Sequence, residues 1–370
     1  MVATLRVVLD QLVAPTDPEL VEASRELARA LVLATPAGCE VEAIAPAGKD
    51  EVEGVPGLAG VHRAALPRRE LATALQMGVA TGIGGGMIHS PTLFAPLVRH
   101  DRVHGNDQTV VSVWDVRAWE SSAELPRGAA MWQKAMLKRA VKFADAVVVP
   151  THALAERVRE IAPKLGDRLR VISGASPLDF AVPRDEIGRR RGLSVPEGYL
   201  LLSGGPMPSH ELSAGLAGIA ASGIDLPVVV IDVPEGLEPA VVDLASAAGI
   251  PERRVHARGA LEQGDRAAVY GAALAFVAPS RRASFPWRVV DALTLGVPVI
   301  ASDSAVHREV VVDGGVLVDA TDAEALGAAL SEGLSSTASA DRLAVMAGDR
   351  GKVFSWREAA DKVWGLHADL

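Results

Sequence analysis

The sequence predicts an α/β fold made of two doubly wound domains, each a parallel sheet with helices on both faces. Three observations lead to this prediction. Short apolar, β-branched runs alternate with longer segments that have helical spacing of apolar residues, which is the pattern of parallel βαβ units. The alternation stops in a connection rich in Gly and Pro over residues 173–197 and then starts again. A length of 370 residues also favours two domains over one.

In the first half of the chain, each predicted strand precedes a predicted helix. The pairs are strand 5–9 with helix 19–33, strand 110–113 with helix 129–144, and strand 146–149 with helix 153–161. A last apolar run, Arg170-Val171-Ile172, closes this half before the connection. We therefore expect the first domain to cover residues 1–174.

The second half repeats the alternation and ends in one more helix. Its predicted strands cover residues 199–202, 228–231, 274–277 and 297–301, so the second domain is expected over residues 175–354. Ser355-Trp356-Arg357-Glu358 has the Ser and Glu spacing of a helix N-terminus, which predicts a final amphipathic helix over residues 355–370.

Composition excludes several classes of protein. With 49% apolar and 22% charged residues the chain is globular rather than disordered. The 37 Lys and Arg against 46 Asp and Glu give a net charge of −9, which argues against sequence-independent binding of nucleic acid. Cys39 is the only cysteine, so an intramolecular disulfide and a cysteine-based zinc site are excluded, and a reducing cytoplasm is expected.

The apolar runs are too short for a membrane protein. The run near the N-terminus is shorter than the core of a signal peptide. The longest runs elsewhere, such as residues 272–279, fall well below the roughly 20 residues that cross a bilayer. Peripheral contact with a membrane surface stays open.

The most informative segment extends from Ala278 to Val318. It contains several short blocks in a fixed order: Pro279-Ser280, Asp291-Ala292, Gly-Val-Pro-Val-Ile-Ala-Ser over residues 296–302, Glu309-Val310 and Gly-Gly-Val-Leu-Val over residues 314–318. Together these blocks resemble the C-terminal signature of GT-B glycosyltransferases, in particular the retaining family-4 enzymes, also called glycosyl transferases group 1. Several blocks in register are far more specific than one glycine motif.

The resemblance extends to the first half of the chain. Ala-Asp-Ala-Val-Val-Val-Pro-Thr over residues 144–151 is similar to a strand and helix start of the family's first domain, and Val111 to Asp115 is similar to a neighbouring strand end. Phe354-Ser355-Trp356 resembles the start of the helix that crosses back to the first domain. The resemblance implies two Rossmann-like domains facing each other across a cleft, with the acceptor on the first and the nucleotide sugar on the second.

On the donor side, the resemblance implies a set of binding residues and shows where the chain departs from the family. The donor-binding candidates are Gly204, Gly205, Ser280, Arg281, Arg282, Ser284, Phe285, Arg288 and Asp291. Asp291 stands where the family has a Glu that accepts hydrogen bonds from the ribose. Ala283 replaces the Glu that contacts the sugar, and Gly205 and His210 stand where the family has the Arg and Lys that neutralise the diphosphate.

The missing cations leave two alternatives for the nearby arginines. His210 is a catalytic candidate only as a protonated imidazolium. Arg281, Arg282 and Arg288 could replace the lost charge, since a guanidinium fits phosphate oxygens well; alternatively they are solvated loop residues. If the chain is an active enzyme, at least one of these guanidinium groups should face the cleft. We also expect Asp291 at the start of a helix, with its carboxylate directed into the cleft.

On the acceptor side, the candidates follow predicted strands. His89-Ser90-Pro91 resembles the family's His-x-Pro, and Trp114-Asp115 takes the place of its His-Asp, so the resemblance implies His89 and Asp115 as catalytic candidates and Trp114 as an acceptor contact. Core packing of Trp114 and a structural His89 are the alternatives. Residues 82–86, Gly-Ile-Gly-Gly-Gly, precede a strand, so they are not a dinucleotide fingerprint and are expected to form a turn.

The resemblance implies a cytoplasmic glycosyltransferase that moves a hexose from a nucleotide diphosphate sugar to a glycan or lipid-linked acceptor. The reaction is expected to retain the anomeric configuration and to need neither a metal nor a cofactor. A second hypothesis is a catalytically silent GT-B protein that binds a sugar nucleotide or serves as a structural subunit of an active transferase. A third, an epimerase of UDP-sugars, is weaker because no cluster of carboxylates and histidines can be assembled from the sequence.

Overall fold

The computed structural model describes residues 2–48, 51–79, 81–101 and 107–370. The chain forms two compact units. Unit 1 consists of Met1–Gly174, Ala283–Phe285 and Ser355–Leu370, and unit 2 consists of Ala175–Arg282 and Pro286–Phe354. Ala283–Phe285, which the sequence placed in the second domain, therefore belongs to unit 1.

Unit 1 contains a parallel sheet in the order β3-β2-β1-β4-β5-β6-β7. Its strands are β1 Ala3–Val8, β2 Cys39–Ala45, β3 Gly60–Arg63, β4 Met87–Ser90, β5 Gln108–Ser112, β6 Ala146–Val149 and β7 Leu169–Val171. The strand-connecting helices are α1 Asp10–Val13, α2 Pro18–Leu33, α3 Arg68–Met77, α4 Arg117–Glu120, α5 Ala129–Phe143 and α6 His152–Ile161, with 3₁₀ turns at Ser122–Glu124 and Pro163–Arg168.

Unit 2 contains a second parallel sheet, in the order β10-β9-β8-β11-β12-β13. Its strands are β8 Tyr199–Ser203, β9 Val228–Ile231, β10 Val255–Ala257, β11 Ala273–Ala278, β12 Val299–Ser302 and β13 Gly315–Val318. Its helices are α7 Glu186–Gly192, α8 Leu212–Ala221, α9 Glu238–Ala247, α10 Gln263–Tyr270, α11 Trp287–Thr294, α12 Ala305–Val311, α13 Ala323–Gly333 and α14 Thr337–Gly351, with 3₁₀ turns at Pro208–His210 and Glu252–Arg254.

The predicted fold class is confirmed: both sheets are parallel and are connected by helices. The central strands are buried on both faces, as in β9, where all four residues are buried. Runs of Val, Ile and Leu without alternation are typical of such strands. Each unit has its own apolar core, because a doubly wound sheet must cover both faces.

The connection between the two halves contains a helix that the sequence analysis did not predict. Within α7, Arg190 is buried and bonds the backbone oxygen of Ala268 at 3.2 Å. Its guanidinium also pairs with Glu186 and Glu197. Arg190 therefore anchors α7 to the body of unit 2, within a segment that the sequence predicts to be a connection.

The last helix, α15 Trp356–Asp369, belongs to unit 1 and packs on α2. Its N-terminus is capped by Ser355, whose side chain accepts from the amide of Glu358 at 3.4 Å. Near its end, the indole of Trp364 donates to the backbone oxygen of Leu31 at 3.2 Å. The bond from Trp364 to Leu31 and the packing on α2 connect residues more than 300 positions apart in the chain.

Each sheet has one point where the strand order reverses. In unit 1 the chain moves outward from β1 through β2 to β3 and then returns to place β4 on the other side of β1. In unit 2 the same reversal occurs between β8 and β11. Ligands of open α/β sheets bind beyond the carboxyl ends of the strands at such points, so the segments that follow these four strands are candidate sites.

Candidate functional site

In unit 2, the segments that follow β8 and β11 contact each other. The hydroxyl of Ser280 donates to the backbone oxygen of Ser209 at 2.8 Å. Gly204 has φ of +110°, a conformation that residues with a Cβ rarely adopt, and a Cβ there would lie 2.5 Å from His210 Nδ1. A Cβ on Gly205 would lie 2.6 Å from Pro234. The two glycines therefore allow a tight turn at the end of β8.

His210 is held in this turn as a hydrogen-bond acceptor. The amide of Gly205 donates to His210 Nδ1 at 2.6 Å, so this nitrogen carries no proton in the arrangement seen. An imidazolium needs protons on both ring nitrogens. The condition set for His210, a protonated imidazolium, is therefore not met in this arrangement, because a proton on Nδ1 would break the bond to Gly205.

The three candidate arginines lie in different surroundings. Arg281 is half exposed and clamps Glu211 through its Nε, at 2.8 Å from the carboxylate, and through Nη2. Arg288 donates to Asp232 at 2.7 Å and to Asp291 at 3.1 Å. Among the residues that the structure describes, the guanidinium of Arg282 has no carboxylate partner. Arg282 is therefore the member of this set with charge available for a ligand.

The expectation that Asp291 lies at the start of a helix is wrong. Asp291 lies within α11 and is only 1% exposed. Its Oδ2 lies 3.0 Å from Arg266 and 3.1 Å from Arg288. Burial raises the pKa of the Tyr270 hydroxyl well above its usual value, and the nearby carboxylate of Asp291 raises this pKa further. The predicted orientation of Asp291 toward a ligand is therefore wrong for this structure, since the carboxylate neutralises two arginines in the interior.

Ser284 and Phe285 lie in unit 1, apart from the other donor-side candidates. Ser284 forms an antiparallel bridge with Asp115. The amide of Phe285 donates to the backbone oxygen of Trp114 at 2.9 Å, and the two rings pack with centroids 5.9 Å apart. The two residues given as donor-binding candidates at these positions therefore contact the segment that follows β5 in unit 1.

Trp114 and Asp115 follow β5 in unit 1. Trp114 is 6% exposed, and its indole donates to the backbone oxygen of Pro91 at 2.7 Å. The carboxylate of Asp115 accepts from the amide of Arg117 at 2.8 Å and pairs with its guanidinium at 3.0 Å. Both residues line a pocket, so one edge of each reaches a space where a ligand could bind.

His89 is fully buried in β4 and does not reach that pocket. Its Nδ1 lies 3.3 Å from His367 Nε2, and His367 Nδ1 lies 2.8 Å from Gln108 Oε1. Burial and the nearby His367 lower the pKa of His89 well below its usual value. The acceptor-side role expected for His89 is contradicted by this position, and the residue is part of the contact between the sheet and α15.

This pocket in unit 1 has a volume of 630 Å³ and is lined by segments that follow β1, β3, β4 and β5. It therefore lies at the reversal point of the sheet, where a ligand is expected. Its walls are mainly apolar and include three indole rings. The residues that matter for its chemistry are Arg68, Arg69, Ser112, Trp114, Asp115, Trp119, Arg127 and Trp132.

In the described part of the chain, no group of three or more His, Cys, Asp or Glu side chains is placed to hold a metal ion. None of the helices in those residues combines the length and the apolar character that crossing a bilayer requires.

Comparison with known proteins finds a family match within the second unit. Residues 210–348 match the family model described as glycosyl transferases group 1. The matched segment begins at His210 and contains the Ser280–Arg282 segment and the Arg288–Asp291 pair. The family that the sequence motifs resemble is thus the one that the model identifies.

One relative matches a longer part of the chain than the family model does. A D-inositol 3-phosphate glycosyltransferase from Xylanimonas cellulosilytica is 28% identical over 244 residues, which are 62% of this chain. The match takes in 58% of that relative's length.

Two solved structures resemble the whole chain in fold. A sucrose-phosphate synthase from Thermosynechococcus elongatus is 21% identical with a TM-score of 0.72, and the superposition covers 99% of this chain and 98% of that one. HepE from Anabaena, solved in complex with UDP and glucose, is 15% identical with a TM-score of 0.71 and complete coverage of both chains. At these sequence identities, the structural similarity shows only that the fold is shared.

The sequence analysis missed most of the pocket. Arg69, Arg127, Trp119 and Trp132 were not singled out, although each lines it. One signal was available, because Trp119 and Trp132 follow Trp114 at short intervals in a chain with 6 tryptophans. Their convergence with Arg69 depends on how the segments after β3 and β5 fold together, and no local pattern encodes that.

Proposed function

We propose that this chain is a glycosyltransferase that moves a hexosyl group from a nucleoside diphosphate sugar to an acceptor. The observation that carries the proposal is the place of the Ser280–Arg282 segment, which lies within the family match. It follows β11 at the reversal point of the sheet and meets the segment after β8 through Ser280 and Ser209. HepE, which shares the fold, was solved with UDP-glucose, which supports this donor class.

In the proposed reaction, unit 2 binds the nucleoside diphosphate and Arg282 offsets the negative charge of the departing diphosphate. Such preorganised positive groups often provide the largest catalytic effect, with about 2.7–4 kcal/mol lost when one donor is removed. Asp115 and Trp114 in unit 1 would contact the acceptor. The proposal includes retention of configuration at the anomeric carbon and no requirement for a metal or cofactor.

A second candidate, a silent protein that binds a sugar nucleotide, is favoured by one specific observation. Arg281 and Arg288 are engaged by carboxylates, so a single member of the three candidate arginines keeps an unpaired guanidinium among the described residues. An enzyme of this type would have less positive charge at the diphosphate than the family motif supplies.

One experiment separates the two candidates. The purified chain is titrated calorimetrically with UDP, GDP, TDP and ADP, and hydrolysis of the matching glucose or mannose nucleotides is then followed by NMR with and without EDTA. Binding together with slow hydrolysis that EDTA leaves unchanged supports the enzyme, and a first-formed sugar with the donor's anomeric configuration supports retention. Binding with neither hydrolysis of the donor nor transfer to any acceptor supports the silent protein. Absence of binding to every nucleotide refutes both.

A further inference from the structure

We propose that the pocket of unit 1 takes an acceptor that combines an apolar or ring-shaped body with an anionic group, a phosphate or a carboxylate. This inference rests on the proposed function, because it assigns the acceptor of that reaction. It differs from the neutral glycan that the sequence resemblance leaves open, and it follows from the side chains, helix ends and unpaired groups of the pocket.

The side chains that line the pocket indicate an apolar or ring-shaped body for the acceptor. Trp114, Trp119 and Trp132 each line the pocket, and indole rings supply large rigid apolar faces at little conformational cost. Leu20, Leu93 and Val113 add aliphatic surface. A pocket of 630 Å³ with these walls suits a compact ring system or the first part of a chain better than a small hydrated ion.

The anionic group is indicated by two arginines at the rim. Arg69 and Arg127 line the pocket and are exposed, and neither guanidinium has an ion-pair or hydrogen-bond partner among the residues that the structure describes. Charges of the opposite sign are already neutralised: Asp115 pairs with Arg117 at 3.0 Å, and the buried Asp10 pairs with Arg68 at 2.9 Å. The net charge offered to a ligand is therefore positive.

Two helix ends add to this positive charge. Arg68 and Arg69 are the first residues of α3, and Gly128, which precedes α5, also lines the pocket. Neither helix has a side chain that caps its N-terminus, and Gly128 has φ of +84°, which only glycine adopts readily. Uncapped N-termini carry partial positive charge and bind anions.

A buried hydroxyl provides a separate indication of a ligand. Ser112, at the end of β5, lines the pocket and is 3% exposed, yet its Oγ has no hydrogen-bond partner among the described residues. Buried polar groups in folded proteins are nearly always paired. An acceptor hydroxyl or anionic oxygen is a suitable partner for this group.

The test uses two probes of similar shape, 2-naphthyl phosphate and 2-naphthol, titrated calorimetrically into the full chain without donor. We expect the phosphate to bind at least tenfold more tightly. Arg69→Ala and Arg127→Ala should each weaken binding of the phosphate about fivefold or more and leave 2-naphthol unchanged. Lys138→Ala is the matched control, because Lys138 is an exposed cation on α5 that does not line the pocket.

Two further arms identify the source of the anion. Binding of glucose 6-phosphate that depends on Arg69 and Arg127 supports a soluble phosphorylated acceptor. Binding to phosphatidylcholine vesicles that contain phosphatidic acid, with the same dependence, supports a lipid-linked one. Equal affinity for 2-naphthyl phosphate and 2-naphthol, no binding of either, or equal losses in Lys138→Ala and the pocket variants would overturn the inference.

This result is separable from the proposed function. UDP-glucose binding and hydrolysis are measured on the same preparations without acceptor. A chain that hydrolyses the donor but shows no preference for the anionic probe keeps the proposed function and loses the inference. A chain that binds the anionic probe through Arg69 and Arg127 but binds no nucleotide keeps the anion-binding pocket and loses its assignment as an acceptor site.

Discussion

At the residue scale, the loop arginines show how ion pairing separates side chains that look equivalent in the sequence. Arg281 and Arg282 are neighbours, but the first is held by Glu211 and the second has no carboxylate partner among the described residues. Arg288 lies between Asp232 and Asp291 and is largely buried. A paired guanidinium must lose its partner before it can bind a phosphate, so the unpaired one is the better candidate.

We expect Arg282→Ala to lower kcat/KM for donor hydrolysis by roughly 100- to 1000-fold, since one charged donor to the leaving diphosphate is lost. Lys should restore only part of the activity because it lacks the bidentate fork. Steady-state kinetics with the donor found by titration provide the measurement. Arg191→Ala is the control, as Arg191 is exposed on α7 and its guanidinium has no partner among the described residues. Wild-type rates in Arg282→Ala would remove this residue from the mechanism.

Asp291 should matter first for stability. Asp291→Asn removes the carboxylate that lies 3.0 Å from Arg266, a guanidinium whose side chain is 3% exposed, and we expect a loss of about 3–5 kcal/mol. Urea unfolding monitored by circular dichroism measures it. Asp303→Asn, which removes an exposed pair with Arg308, should leave the unfolding midpoint nearly unchanged. An unchanged midpoint in Asp291→Asn would show that the buried network contributes little.

At the scale of the element, α15 is held by hydrogen bonds of His367, a side chain that can take up a proton. Gln108 Nε2 donates to the backbone oxygen of His367 at 3.1 Å, so Gln108 Oε1 is left to accept from His367 Nδ1. His367 Nε2 then accepts from His89 Nδ1 at 3.3 Å. Both rings are neutral in this arrangement, and burial lowers the pKa of His367 to about 4.

The sign of the pH dependence follows from this lowered pKa. The unfolded chain binds a proton at His367 near pH 6.5, whereas the folded chain does so only near pH 4. The stabilising contribution is therefore complete above pH 6.5 and is lost as pH falls toward 4, by about 3 kcal/mol in total. We expect His367→Gln to flatten this decline in the urea midpoint between pH 7 and pH 4 relative to the wild type.

The control for this prediction is His152→Gln, which changes an exposed histidine on α6. It should keep the wild-type decline. Carboxylates, and the buried Asp10 whose pKa is raised by burial, titrate alike in all three proteins and cancel in the comparison. A decline of equal size in His367→Gln would show that α15 is not held by a neutral histidine.

At the scale of the whole molecule, the two units have separate sheets and separate cores, so a ligand of one unit should first stabilise that unit. Hydrogen exchange measured by mass spectrometry resolves them. We expect UDP to slow exchange in peptides that contain residues 203–210 and 279–282, and 2-naphthyl phosphate to slow exchange in peptides that contain residues 112–119 and 127–133. Protection by UDP confined to unit 1 would refute the donor assignment.

Much of the fold could be predicted because its signals are local. β6 and β9 occupy the positions predicted for them, and α2 begins within one residue of the prediction, since buried parallel strands and amphipathic helices have distinct apolar patterns. α7 was missed because a short helix anchored by the single buried Arg190 looks, in the sequence, like a polar connection.

The sequence by itself determined the α/β class, the motif blocks that resemble those of group 1 glycosyl transferases and the departures at Ala283, Gly205 and His210. Each of these depends on residue identity and on spacing along the chain. Only the tertiary structure decided that His89 is buried against α15, that Asp291 neutralises two arginines, and that Arg69, Arg127 and three tryptophans share one pocket. Burial and ion pairing depend on neighbours that are distant in sequence, so the charge that a side chain can offer a ligand is fixed only when the chain has folded.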